Sequence, residues 1–244
     1  MPSLEAYSPD LDYSYAPGIF PSMECLLSRP QSVRRLLVHS SASGREGAEK
    51  LKGLALQHRI RIEEADRALG RISGKENCYA AAVFEKFSDT LRDDRPHIVL
   101  HCPGDGGNVG TILRTSLGLG MEDVALIRPC VDVFDPRVVR ASMGSLFRLR
   151  VRVYGSFGEY RAAFPERMLY PFMLDASVPL RQVRDIPAVY SLVFGNEGSG
   201  LPPEFASMGQ PVRIESNDKV DSLNLGIAAA IGIYTFTRSA DASD

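Results

Sequence analysis

The stretch Val189–Tyr234 decides the fold. It reads VYSLVFGNEGSGLPPEF from Val189 to Phe205, and after a short spacer VRIESNDKVDSLNLGIAAAIGIY from Val212 to Tyr234. Tyr190–Phe194 is uncharged and short, as suits a strand covered on both faces. The glycines of Gly195–Gly200 then let the backbone turn sharply and approach a ligand closely. Pro202 and Pro203 stand where a first helical turn would open. The plan repeats, with Pro211–Ile214 as strand, Glu215–Ser222 as loop and Leu223–Tyr234 as helix. That helix has no charged residue on any side, so the pattern predicts burial all round. A sheet on one side and a second subunit on the other would provide it.

Working outward, the alternation continues towards the N-terminus. His97–Cys102, Val124–Ile127, Leu149–Tyr154 and Met168–Leu174 read as strands; Val109–Leu119 and Arg137–Phe147 read as helices. Alternating strands and helices imply an α/β fold with a mostly parallel sheet. The charged stretch Lys86–Pro96 carries no apolar period and marks a boundary. Before it lies a smaller α/β pattern. A helix starts near Ser22 as N-cap, and Val33–Val38 and Cys78–Phe84 are strands. Gly47–His58 and Ala65–Ile72 are helices, and Ile60 and Ile62 mark a half-exposed strand between them. The expected divisions are an N-terminal arm at 1–15 docked by its tyrosines, a small domain at 16–88, a linker at 89–95 and a larger domain at 96–244.

Composition limits the function classes. The 244 residues are 44% hydrophobic, ample for a core, and the net charge of −2 gives no global basic footprint. The four cysteines form no CxxC pair and read as reduced thiols of a cytoplasmic protein. No stretch has the length and apolarity of a membrane span, and the N-terminus lacks a signal peptide's basic start. His97, His101 and Cys102 invite a metal reading, but no second ligand cluster accompanies them, so no metal is expected.

Three loops follow strands at 103–110, 195–200 and 215–224, where open α/β sheets place their ligands. The first, Pro103–Thr111, lacks the Gly-Lys-Ser/Thr of a phosphate loop, and Asn108 stands where it would cap the following helix. Arg114 sits in that otherwise apolar or small-residue helix, where it reads either as a functional cation or as a buried arginine paired with a carboxylate.

Asn108–Thr115, Phe194–Leu201 and Ser222–Leu225, in this order and spacing, resemble the SpoU/TrmH branch of the SPOUT RNA methyltransferases. The likeness covers roughly 96–238. The segment before it resembles, more loosely, the small ribosomal-protein-like α/β RNA-binding domain that often precedes it. The resemblance implies a C-terminal trefoil knot holding S-adenosylmethionine, with Leu174, Phe194, Gly195, Ile214, Leu223 and Gly226 as candidates for the walls and backbone partners of its adenine, and Asn196 and Gly200 added to the cofactor-binding set. It also implies a homodimer formed through knot elements and the C-terminal helix, and methyl transfer to a ribose 2′-hydroxyl of RNA, ribosomal RNA before transfer RNA. Arg114 is then the central catalytic residue. Because a guanidinium stays protonated, gripping phosphate and stabilising the 2′-oxygen suits it better than acting as a base. Asn108 and Ser222 would orient the ribose or relay its proton. Glu197 would pair with Arg114 or hold Asn108, and Asn224 would hold loop and hydroxyl. A non-catalytic RNA-binding or ribosome-assembly protein retaining the knot is the alternative, as is a transfer-RNA methyltransferase. Asn77-Cys78-Tyr79-Ala80 departs from the family's Asn-His-Gln-Gly. The arginines Arg29, Arg34, Arg35, Arg59, Arg61, Arg67 and Arg71, with Lys75, are interleaved with acids, as on a solvated face, and make a phosphate track only if they share one side.

Overall fold

The computed structural model describes residues 5–73, 78–217 and 219–241, so Lys75 and Asn77 lie outside the described residues. Two compact units are present: Met1–Phe87 with Asp132–Arg148, and Ser88–Val131 with Leu149–Asp244.

The first unit opens with β1 (Tyr13–Pro17), α1 (Ile19–Ser28), β2 (Val33–Val38) and α2 (Glu46–Gln57). It continues with β3 (Ile62–Glu64), α3 (Asp66–Ser73) and β4 (Ala80–Glu85), and its sheet runs β1-β4-β2-β3. The end of the expected arm is therefore an edge strand. Tyr13 and Tyr15 alternate at strand period, and Tyr15 is fully buried with Leu37 and Val83. Ser22 does not cap α1, which begins after Gly18. Its hydroxyl lies inside, donating to the Ala16 carbonyl at 2.8 Å and accepting from the Ala82 N–H at 2.9 Å. The basic face is largely neutralised locally: Arg34 meets Asp12 and Glu85, and Arg35 meets Glu63.

The second unit begins with the expected linker, which is packed. Leu91 is buried, and Arg92 reaches Asp123 at 2.6 Å and Glu122 at 3.0 Å. Then come β5 (His97–His101), α4 (Gly106–Gly118) and β6 (Asp123–Ile127). The chain next joins the first unit for Asp132–Arg148, which carries α5 (Pro136–Ala141). The sequence reading had run 96–244 as one block with a helix to Phe147. That helix stops early because Met143 and Gly144 take left-handed angles, φ 53° and 85°. A Cβ on Gly144 would fall 2.7 Å from the Glu24 Cβ, so only glycine fits against α1. Arg29 to the Phe147 carbonyl, Arg148 to Glu24 and Tyr7 to Asp132 fasten the segment.

After β7 (Arg150–Tyr154) comes α6 (Phe157–Ala163), which the sequence reading left out although Ser156 caps it by accepting the Glu159 N–H. Next come β8 (Met168–Pro171), β9 (Val178–Pro179), β10 (Tyr190–Phe194), β11 (Val212–Arg213) and α7 (Leu225–Asp241). The sheet runs β7-β6-β5-β10-β8 with every pairing parallel. Tyr190–Phe194 is buried throughout, as a central parallel strand requires. The order of strands reverses between β5 and β10, so their carboxyl ends form the topological switch point.

Helix α7 packs one stripe, Leu225, Gly226, Ala229, Gly232, Ile233 and Phe236, at helical spacing. The expectation of burial all round is not met within this chain: Ile227 is 53% exposed and Tyr234 54%. Among the described residues no helix is long and apolar enough to cross a membrane.

Candidate functional site

The loops after β5 and β10 meet the start of α7, all within the second unit. Asp105, not Asn108, caps α4: its carboxylate accepts the Asn108 N–H at 2.7 Å. Asn108 is thereby set in the first turn, and its side chain is free for other partners.

Glu197 holds four donors, the weakest being the Asn196 amide at 3.4 Å. Its carboxylate accepts from the N–H groups of Gly104 at 3.0 Å and Asp105 at 3.1 Å, and from the Asn108 amide at 3.1 Å. Burial pushes this carboxyl up, but the backbone and amide donors outweigh it and hold it below the ordinary carboxylate range. Of the two partners considered for Glu197, Asn108 is the one it meets. Asn224 then donates to the Asn108 Oδ1 at 2.9 Å, while its own Oδ1 accepts from the N–H of Gly226 at 2.9 Å and of Ile227 at 3.3 Å. Asn224 is both the cap of α7 and a link to α4. A continuous relay runs Glu197–Asn108–Asn224 and ties three loops together. Each amide keeps a second N–H for a further acceptor.

Asn196 supports this node from the side. Its amide donates to the Cys102 carbonyl at 2.9 Å, and its Oδ1 accepts from Gly198 and Ser199. Asn196 and Gly200 also exchange backbone hydrogen bonds, pinching the loop. A Cβ on Gly195 would lie 2.2 Å from the Gly200 carbonyl carbon, so position 195 admits no side chain.

Beside the node lies a cavity of about 220 Å³. Leu174, Phe194, Gly195, Asn196, Gly200, Ile214 and Leu223 line it, with Ser222 and Glu197; Gly226 does not, since it sits at the base of α7. Phe172, Val212 and Ala228 complete the apolar wall. Sequence reasoning missed these three because it took Phe172 and Val212 as strand residues and Ala228 as helix core. It also missed the Gly104 and Asp105 amides, although Asp105 three residues before Asn108 was a legible cap signal. Among the described lining residues Glu197 is the only ionised group. Apolar walls with backbone donors and acceptors, and no cation, fit an adenosine-bearing cationic ligand.

Arg114 and Ser222 stay apart from the relay. Both are exposed, and among the described residues neither has a hydrogen bond or ion pair. Arg114 is thus not the buried, paired arginine that its sequence context allowed. It stands three residues after Thr111, the residue of α4 that packs against Gly226. The expected strand residue Leu174 is 63% exposed at the cavity rim. His97 lies elsewhere, buried, with its ring nitrogens on the Tyr160 hydroxyl and the Arg92 carbonyl.

The SpoU rRNA Methylase family model matches residues 95–234. A Synechocystis protein named as an uncharacterized tRNA/rRNA methyltransferase is 34% identical over 157 residues, 60% of this chain and 56% of that protein. A 23S rRNA (adenosine(1067)-2′-O)-methyltransferase of Streptomyces laurentii is 32% identical over 136 residues, 54% of this chain and 50% of that protein. The chain thus spans about half the length of these curated relatives. Among solved structures, the SpoU methyltransferase AviRb from Streptomyces viridochromogenes in complex with AdoMet superposes with a TM-score of 0.80. It is 24% identical, and the match covers 95% of this chain and 92% of that one.

Proposed function

This chain belongs to the SpoU rRNA Methylase family, and we propose that it methylates a ribose 2′-hydroxyl of RNA from S-adenosylmethionine, with ribosomal RNA as substrate. The observation that carries this reading is the Glu197–Asn108–Asn224 relay closing on an apolar, cation-free cavity. The 2′-O-methyltransferase of Streptomyces laurentii and the AdoMet complex of AviRb support the choice of reaction and cofactor.

When bound, the cofactor supplies a methyl group on a sulfonium, already activated for transfer. The protein's task is to hold the nucleophile in line and to accommodate its developing charge. Glu197 remains ionised and fixes the Asn108 amide, whose spare N–H faces the ribose oxygens. Asn224 fixes the other end of Asn108. Ser222, exposed at the cavity mouth, accepts a hydrogen bond from the 2′-hydroxyl and passes its proton to solvent water as the methyl leaves sulfur for oxygen. Arg114, unpaired and protonated, grips the neighbouring phosphate and stabilises the 2′-oxygen. Leu174, Phe194, Ile214 and Leu223, with the backbone of Gly195, Asn196 and Gly200, would hold the adenosine part of the cofactor. Gly226 lets α7 approach Thr111. The reading includes a trefoil knot around this cavity and a homodimer that covers Ile227 and Tyr234.

The test is transfer of labelled methyl from S-adenosylmethionine to ribosomal and transfer RNA, with the product mapped as 2′-O-methylnucleotide. Calorimetric titration with S-adenosylmethionine runs alongside. Cofactor binding with ribosomal RNA methylation supports the reading. Absence of cofactor binding overturns it in favour of a non-catalytic RNA-binding protein, and methylation of transfer RNA alone changes the substrate.

A further inference from the structure

The net charge of −2 gives the protein no general attraction for a polyanion, so RNA affinity must come from cations placed locally. Most arginines of the second unit are already engaged. Arg92 holds Glu122 and Asp123, Arg181 holds Glu215, Arg152 lies over the Tyr154 ring, and Arg161 and Arg184 donate to backbone carbonyls. Arg128 is different. It follows directly on β6 at the carboxyl ends of the strands, where the candidate site lies, and its side chain is exposed. Among the described residues that side chain has no hydrogen bond, ion pair or ring contact. Arg150 and Arg213 are likewise unpaired, but Arg150 opens β7 at the opposite end of the sheet and Arg213 lies in β11.

The main chain of Arg128 is fixed on both sides. Its N–H donates to the Tyr154 carbonyl at 3.0 Å, and its carbonyl accepts from the Cys102 thiol at 3.5 Å. Cys102 in turn presents its carbonyl to Asn196, the neighbour of Glu197. Two contacts therefore connect the Arg128 backbone to Asn196, beside the relay. Glu159, in α6 after β7, has its carboxylate on the Gly155 N–H at 2.8 Å. A rigid backbone presenting an unpaired guanidinium loses little freedom on binding, and its planar fork matches phosphate.

We propose that Arg128 binds a phosphodiester of the RNA substrate flanking the target nucleotide, as a second cation beside Arg114. This rests on the RNA methyltransferase reading. The test compares wild type with Arg128→Ala, Arg128→Lys and Arg128→Glu by fluorescence anisotropy on a labelled ribosomal RNA fragment across a KCl series. Methyl-transfer kinetics and S-adenosylmethionine titration accompany it. The expected result for Arg128→Ala is a salt slope shallower by about 0.7–0.9, the loss of one phosphate contact. The KM for RNA rises several-fold with kcat and cofactor affinity unchanged, Lys restores most of the affinity, and Glu weakens it further. An unaltered slope and KM in Arg128→Ala and Arg128→Glu overturn the assignment. Wild-type protein that binds RNA without methylating it defeats the enzymatic reading alone, and the slope still decides Arg128. Wild-type protein that binds no RNA defeats both.

Discussion

Replacing Glu197 by Gln tests the relay at its only charge. The native carboxylate accepts from Gly104, Asp105 and Asn108 at 3.0 Å, 3.1 Å and 3.1 Å. A glutamine keeps one acceptor oxygen and places an NH2 group where the other was. Whichever way it turns, at least one donor faces a donor. Hydrogen bonds to charged groups contribute roughly 1.5–3 kcal/mol each, and this side chain is largely exposed, so the lower end applies. Losing one bond and weakening two gives about 2 kcal/mol. If that is felt as misplacement of Asn108 in the transition state, kcat falls on the order of 30-fold. Tm falls by about 2–4 °C per kcal/mol for a chain of this size. Single-turnover methyl transfer and calorimetric unfolding read the two effects. Because the carboxyl lies below its ordinary range, its contribution is present at neutral pH and is lost only as the pH falls through that depressed value. The wild-type enzyme should therefore keep the relay through mildly acidic buffers. A Glu197→Gln variant with wild-type rate and Tm would refute the claim that the carboxylate positions Asn108.

Arg114→Ala should abolish transfer yet leave S-adenosylmethionine affinity within about tenfold, since the residue does not line the cavity. Being exposed and unpaired, its loss should change unfolding free energy by less than about 0.5 kcal/mol, and a larger drop would reveal a structural role. Gly195→Ala should cost about 1–3 kcal/mol and eliminate cofactor binding, because its Cβ would stand 2.2 Å from Gly200; titration calorimetry on the folded variant checks it. The His97 imidazole is pushed down to about 4 by burial and by the charge of Arg167. As pH falls from about 6.5 to about 4 the unfolded chain takes up a proton that the native chain refuses, so stability declines across that window by up to about 3 kcal/mol. Urea unfolding at pH 7 and pH 4.5 should show the slope in wild type and a flatter one in His97→Gln; equal slopes would contradict it.

How much of this was legible depends on the range of the interaction involved. Tyr190–Phe194 was readable to the residue because a strand covered on both faces needs only a short uncharged run between turn signals. The helix to Phe147 was not, since its break depends on α1: Gly144 must lie against Glu24, far away in sequence. The end of the arm was misjudged for a similar reason. Tyr13 and Tyr15 carry the strand period, but an edge strand at a chain's start needs a partner, here β4, before the period means anything. Capsite errors at Ser22 and Asn108 share one cause. Both residues are competent caps, and a position one helical turn away decided each case, at Gly18 and Asp105.

The site divides along the same line. Asn108, Glu197 and Asn224 could be picked out through the resemblance of their three motifs to the SpoU/TrmH branch. For Glu197 two partners, Arg114 and Asn108, stayed open. A glutamate and an arginine in one site suggest an ion pair by charge alone, yet Glu197 takes backbone N–H groups and an amide instead. The consequence is chemical. An arginine neutralised by Glu197 would have little affinity left for a phosphate or an oxyanion, whereas satisfying Glu197 with neutral donors leaves Arg114 with its full charge. The same relay orients Asn108 and Asn224 without spending a cation, so the positive charge that RNA chemistry requires is kept for the substrate. On this view, supplying Arg114 with a carboxylate, for instance by Thr111→Glu three residues earlier on the helix, should depress transfer as strongly as weakening the relay does. Retained cofactor affinity would distinguish that loss from collapse of the cavity, and undiminished transfer would show that the charge of Arg114 is not what the site conserves.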